Sequence, residues 1–537
     1  MINFDTTPTV YWLLGFALAG LVVVSAYHKK VPTALFILLG LTLFVAIRLP
    51  VIVFNRELNP DESQMIGHAI TLLQDPVYWR SVDGTTIGPL DNYFLTLPGL
   101  IGLPIDFTAA RVMGLLANLC TLLFLWLCLR NWFSHRLSRV MWMMPLLLLG
   151  FTQEVDLVHY SSEQVPLLLL SLCLWLFSKL HTQAVLKPSH GYALGFAAGL
   201  IPFAKLQAVP PAVVLGASAA WICWGYFRKH KAPKPLLALL LGAITFPVIV
   251  ALWAVYFGVF TDLIDFYLLG NVIYAGGNES SIFGQIIDIL TLSPDFQAYL
   301  FLLALPIGLF VYGIIRPGAL RNHQRDGLLL LTLFLFLLAN VYAVTKSGND
   351  FVHYLHFLTI PLLLLATWGM ASFEKYTPLI PVILLAWFAV NDAKMYRSEH
   401  RLNAFDSVGH TTLSESPVVK ALKKYAVKGD YMAVWGWNCL YYVEAQLAQA
   451  TAENHTERSI FLHEMRDKYR ERYMKDLART QPAIILDAVG KNSAWVQDVP
   501  TQGIPSFAPL ASYVSQHYTD LGIYDGTRLY VRTDRLR

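Results

Sequence analysis

Apolar runs long enough to cross a lipid bilayer recur along the chain, and nothing else in it constrains the fold as tightly. "YWLLGFALAGLVVVSAY" starts at Tyr11 and "PLLALLLGAITFPVIVALWAVYFG" at Pro235. A helix needs about 20 such residues to cross roughly 30 Å of hydrocarbon, where every backbone N–H and C=O has to be bonded inside the segment. Composition agrees: 55% of the 537 residues are hydrophobic and 14% charged, whereas a soluble domain carries about a quarter charged residues. The chain reads as an α-helical polytopic membrane protein. Its spans, about 12 in number, fall at 9–27, 33–54, 107–128, 140–153, 164–180, 190–204, 206–226, 235–258, 297–315, 327–345, 356–372 and 377–391.

Charge sets the orientation. One alternate set of connectors is basic: "HKK" at 28–30, "RNWFSHRLSR" at 130–139, "RKHKAPK" at 228–234 and "RPGALRNHQR" at 316–325. The other set is acidic, with Asp61, Glu62, Asp75, Asp83 and Asp91 in one loop and no Lys or Arg at all in 259–296. Positive connectors stay cytoplasmic, so both termini are expected outside. Beyond residue 391 the pattern changes. "GDYMAVWGW", "PAIILDAV" and "GTRLYVRT" alternate like strands, with helical stretches between them. The expected organisation is a membrane domain at 1–391, with a first external loop at 55–106, and a small soluble α/β extracytoplasmic domain at 392–537.

Other classes are set aside quickly. A net charge of +4 gives no electrostatic footprint for nucleic acid, and the five cysteines show no metal-binding spacing. "MINFDTTPTV" lacks the basic start of a signal peptide. Two Asn-x-Ser/Thr sequons, at 278–280 and 454–456, fall on the expected outer side.

Where the second span ends, the chain reads "FNRELNPDESQ". Asn59 suits an N-cap, Pro60 the first helical position, and Glu62 completes a capping box. Asp61 in the first turn complements the helix dipole. The stretch is therefore an ordinary helix start, and it also holds a carboxylate in a fixed place. Further polar groups gather at the outer ends of spans: Arg48; Glu154, Asp156, His159 and Glu163 in "TQEVDLVHYSSEQ"; Lys205 in "IPFAKLQAVPP"; Lys346, Asp350, His353 and His356 in "TKSGNDFVHYLH". Ionisable groups at that depth are costly unless they pair or line a cavity.

In order and topological side these features resemble the GT-C superfamily of integral-membrane glycosyltransferases, in particular its bacterial aminoarabinose transferase and protein O-mannosyltransferase branch. Arg48 followed by Asp61-Glu62, "GPLDNYFL" with Asp91, "HYSSEQVPLLLL" with His159 and Glu163, "LGFAAGLIPFAK" ending at Lys205, and "HYLHFLTIPLLLLA" with His353 and Tyr354 carry the likeness. Two positions depart from it. Gln164, with Glu163 beside it, stands where many relatives have Asp, and His353 stands where Arg is frequent.

The resemblance implies a polyprenyl-phosphate sugar as donor, a lipid, glycan or protein acceptor, and an active site on the outer face of a bacterial inner (plasma) membrane. A phosphate leaving group needs cations rather than an acid, and the acceptor hydroxyl needs a base within hydrogen-bonding reach. The expected roles are then Asp61 as general base of an inverting transfer, with Glu62 beside it. Lys205, Arg48 and His353 are expected at the donor phosphate, and His159, Glu163, Asp91 and Tyr354 as further site residues. No cofactor or metal is expected, although an acidic pair suits Mg²⁺ or Mn²⁺. A transporter or flippase of lipid-linked sugars, and a ligase using a pyrophosphate-linked glycan, stay open as alternatives.

Overall fold

The structure is a computed structural model that describes residues 3–5, 10–275, 281–315, 326–371 and 379–536. The basic connector at 316–325, the first sequon at 278–280, the start of the expected span 9–27 and the facing edges of 356–372 and 377–391 lie outside or partly outside these residues. The chain divides into two compact units.

The first unit comprises Met1–Phe54, Gly114–Ala251 and Tyr274–Gly409. Among the described residues of the whole chain, ten helices are long and apolar enough to cross a membrane, and the protein is an integral membrane protein. Two of the expected spans are shorter helices. The 140–153 segment belongs to His135–Phe151, buried on every side from Leu137 onward. The 190–204 segment is Pro188–Leu200 followed by the 3₁₀ turn Ile201–Phe203. That short helix packs backbone to backbone on the Lys234–Tyr256 helix. A Cβ on Gly195 would overlap the carbonyl of Leu239, and one on Gly242 the carbonyl of Tyr192. Small residues at this spacing let helices approach where lipid provides no hydrophobic drive.

The second unit comprises Asn55–Met113, Leu252–Ile273 and His410–Arg537, so the first loop and the C-terminal segment belong to one body. Its sheet has the order β2-β1-β3-β5-β4. β1 is Tyr431–Trp435, β2 Ala448–Gln449, β3 Ile484–Asp487, β4 Tyr518–Tyr524 and β5 Thr527–Arg532. β1 runs parallel to both β2 and β3, and β5 runs antiparallel to β3 and β4. β3 is central, and all its residues are buried, as a strand covered on both faces must be. The helix Arg466–Thr480 joins the core around the sheet through Tyr473 and Leu477, four residues apart on one side of the helix, while Tyr469 packs on Phe266 and Met465. The turn between β4 and β5 is Asp525-Gly526, with φ of 49° and 89°, the type I′ geometry that closes a two-residue hairpin.

The loop carrying the acidic pair folds onto this domain. Its helices Pro60–Gln74 and Pro89–Leu100 pack together, and the short helix Leu440–Ala445 packs on the first of them. Thr71 Oγ1 accepts from Gln449 N at 2.9 Å, and Gln64 O accepts from Asn454 Nδ2 at 2.8 Å. Asn454 is fully buried; its amide belongs to the core, and the sequon there is closed to a glycan.

Candidate active site

In the second unit the helix start forms as its residues dictate. Asn59 Oδ1 accepts from Asp61 N at 3.0 Å, and Pro60 opens the helix. Glu62 also reaches beyond the cap. It accepts two bonds from Arg111, at 2.8 Å from Nε and 2.7 Å from Nη2, with a longer one from Leu58 N at 3.3 Å. Both side chains are buried. Arg111 also donates to the carbonyl of Arg56 at 2.6 Å and lies over the Phe107 ring. Glu62 is thus committed to tying the turn before the helix to the start of Phe107–Trp132. Asp61 stays half-exposed one residue earlier.

Asp61 keeps acidic company. Glu57 accepts from Ser63 Oγ. Burial, offset by that bond and reinforced by Glu62, Glu444 and Asp61, pushes the Glu57 carboxyl up to about 7. Burial and the nearby Asp61 also raise Glu457, against Arg458. Deeper in the unit His68 pairs with Asn92 at 3.3 Å, and burial lowers the imidazole to about 4, so it is neutral. Asp91 is fully buried at the start of Pro89–Leu100, close enough to Tyr267 for its charge to act on that phenol. Asp83 takes Arg472 at 2.5 Å.

The first unit gathers the other candidates. Pro202 and the Pro210-Pro211 pair break the apolar run, and Lys205 sits between two 3₁₀ turns with extended backbone (φ −158°, ψ 125°). Its buried ammonium donates to Glu163 and, at 2.7 Å, to Ser162 Oγ. It also lies 5.0 Å from the Tyr354 ring centre. His353 Nε2 is 4.0 Å from the same Glu163 oxygen, and the His353 ring stacks on Phe351 and meets His159 edge-on at 5.6 Å. Arg48 donates to the carbonyl of Val158, next to His159, at 2.7 Å. Burial pushes the Glu163 carboxyl up, but Lys205 and then His353 outweigh it and hold it below the usual range. The carboxylate is therefore ionised and neutralises the lysine.

The structure brings together Lys205, Glu163, His353, His159 and Tyr354, with Arg48 reaching the same strand of chain through Val158. It places Asp61, Glu62 and Asp91 in the other unit. The departure at Gln164 has a simple resolution: its amide donates to the His159 carbonyl at 3.2 Å, and Glu163 meets the lysine. Arg111, Ser162 and Glu57 were not legible as site residues. Arg111 lies 49 positions from its partner, and no local pattern reports a pairing at that distance. Among the described residues no group of three His, Cys, Asp or Glu side chains is arranged to hold a metal ion.

No protein-family model and no curated protein matches the chain. Solved structures do. ArnT from Cupriavidus metallidurans bound to undecaprenyl phosphate superposes with a TM-score of 0.56 at 12% identity, over 93% of this chain and 98% of that one. The apo state of the same protein gives 0.53 at 11% identity, over 92% and 97%. The chain shares the fold of that polytopic membrane protein, with ten helices among the described residues long and apolar enough to cross a membrane and a five-stranded sheet near the C-terminus.

Proposed function

From this fold and these two clusters, we propose that the protein is a glycosyltransferase that moves a sugar from a polyprenyl-phosphate donor to an acceptor hydroxyl, with inversion, on the outer face of a bacterial inner membrane. The observation that carries the assignment of the base is the division of labour in the acidic pair. Glu62 is consumed by Arg111, while Asp61 is fixed by the cap through its backbone and keeps its carboxylate half-exposed. Asp61 takes the proton of the acceptor hydroxyl as its oxygen attacks the anomeric carbon. The bond to the phosphate oxygen breaks, and the lipid phosphate leaves with the electron pair. Lys205 and His353 supply the positive charge that this phosphate needs, and Glu163 holds the lysine ready in the absence of donor. The likeness to a protein whose structure holds undecaprenyl phosphate supports a lipid-phosphate donor. No metal is used in this scheme, and both termini are on the outer side.

One observation favours a second reading. The broken helix at Lys205, with a buried ion pair beside it, is also how transporters build substrate sites. A lipid-linked-sugar flippase therefore remains the competing function. The deciding experiment offers purified protein in lipid a panel of labelled polyprenyl-phosphate sugars with envelope extract as acceptor, with and without chelator. Transfer that survives chelation supports the proposal and names the sugar. Donor flipping without transfer supports the transporter.

A further inference from the structure

Within the second unit, a cavity of about 790 Å³ opens between the end of helix Pro89–Leu100 and the segment 423–429. Its volume falls in the range of about 300–1,000 Å³ typical of sites for small amphiphiles. The walls are mostly apolar, two lysines, Lys423 and Lys428, stand at them, and no carboxylate is among the lining residues. At the end of that helix, Leu97, Leu100, Ile101 and Leu103 are 46%, 68%, 76% and 55% exposed, and Leu103, with the intervening Gly99 and Gly102, forms one lip of the cavity. Four aliphatic side chains in seven residues facing outward is a patch that a water-facing surface rarely keeps without a partner.

Two features say what covers it. The first is connectivity: the span Phe107–Trp132 begins four residues after Leu103, and four residues reach at most about 14 Å. The lip is thus kept close to the first turn of a helix long and apolar enough to enter a bilayer. The second is charge. Lys423 pairs at 2.7 Å with Glu415, both exposed, a link worth little in water and open to exchange. Among the described residues Lys428 has no carboxylate within ion-pairing distance. An acyl chain suits the apolar walls, and a phosphodiester suits the lysines.

We propose that this groove holds an anionic phospholipid of the leaflet that Phe107–Trp132 enters, with an acyl chain between the lip and the domain and the phosphate at Lys423 and Lys428. The site anchors the external unit to the membrane surface and depends on membrane composition. A lysine near an anionic surface contributes about 1 kcal/mol, or about fivefold in affinity, so two contribute about thirtyfold.

The test is native mass spectrometry of the full-length protein in detergent, titrated with phosphatidylglycerol and phosphatidylcholine. Wild type is expected to retain phosphatidylglycerol in preference to phosphatidylcholine. The Lys423→Glu/Lys428→Glu variant should lose at least about thirtyfold in phosphatidylglycerol affinity with phosphatidylcholine unchanged. Lys423→Arg/Lys428→Arg, with the same charge, should behave as wild type, which separates loss of the site from loss of the fold. Leu100→Asp/Ile101→Asp should weaken both lipids. Equal retention of the two lipids by wild type, or phosphatidylglycerol affinity within twofold of wild type in the charge-reversed variant, overturns the proposal. So does a concentration-dependent dimer that excludes lipid from the groove.

Discussion

Arg111→Met tests the role given to the buried ion pair. The guanidinium makes two bonds to Glu62, at 2.8 and 2.7 Å, and one to the Arg56 carbonyl at 2.6 Å, with 1% and 0% of the two side chains exposed. Methionine matches the stem of the arginine and removes its charge, leaving a buried carboxylate with its main partner gone. Breaking a buried pair in this way costs about 3–5 kcal/mol, a large part of the roughly 5–15 kcal/mol that holds a domain folded. Replacing both partners, Arg111→Met with Glu62→Leu, should recover at least about 2 kcal/mol, because no charge is then stranded. The Leu58 N–H and Arg56 carbonyl lose partners in that double variant, so recovery stays incomplete. The unit contains its own reporter, Cys439, buried in its core, whereas Cys120 is exposed. In a Cys120→Ser background, maleimide labelling of Cys439 by mass spectrometry follows opening of this unit. The single variant should label faster by about two to three and a half powers of ten, and the double variant by far less. Labelling of Arg111→Met within tenfold of the parent would show that Glu62 and Arg111 do not hold the loop, and the case for Asp61 as the freed member of the pair would fall with it.

Three further outcomes follow from the same geometry. Lys205→Met strands Glu163 and should cost about 3–5 kcal/mol, whereas Lys205→Met with Glu163→Gln should regain most of that stability yet leave the donor KM raised at least about tenfold; thermal melts and donor titrations read the two effects separately. Glu57 has a folded pKa raised to about 7 from 4.5, so its stabilising protonated form is fully present below about 4.5 and is lost as pH rises to about 7. Glu57→Gln should remove that fall from the Cys439 labelling profile, and an unchanged profile would refute the assignment. Gly195→Ala forces a Cβ into the Leu239 carbonyl and should lower stability by about 1–3 kcal/mol, read as a lower melting temperature in detergent, while Gly216→Ala, with open space around it, should not.

How much of this was legible in the sequence depends on the range of the forces involved. Spans are set by local hydropathy, so the long ones stand where the apolar runs are. The exceptions are instructive: His135–Phe151 and Pro188–Leu200 are cut short by their ends, Thr152 and the Pro202 turn. Strands β1, β3 and β5 were visible from their apolar alternation. β4 was not, because a bulge between Asp520 and Ile523, at Gly522 with φ 96°, breaks its period. The Asp525-Gly526 pair was the signal that would have found it. Asp61 and Glu62 were visible as a pair, but their separate fates were not, since those depend on Arg111. The pairing of Lys205 with Glu163 was likewise out of reach, because it joins residues 42 apart across a helix break. Local pattern gives the elements, and the tertiary partner decides which charged group is spent on structure.

The central claim is that Asp61 is the base, and one comparison tests it most directly: the single-turnover rate of Asp61→Asn against wild type, in protein whose Cys439 labelling is also measured. The cap is made by the Asp61 backbone N–H to Asn59, so asparagine keeps it, and the loss of dipole interaction costs about 0.3–1 kcal/mol. The account predicts labelling within about fivefold of wild type and a transfer rate lower by about 10²–10⁴. Undiminished transfer by a folded Asp61→Asn protein would contradict it.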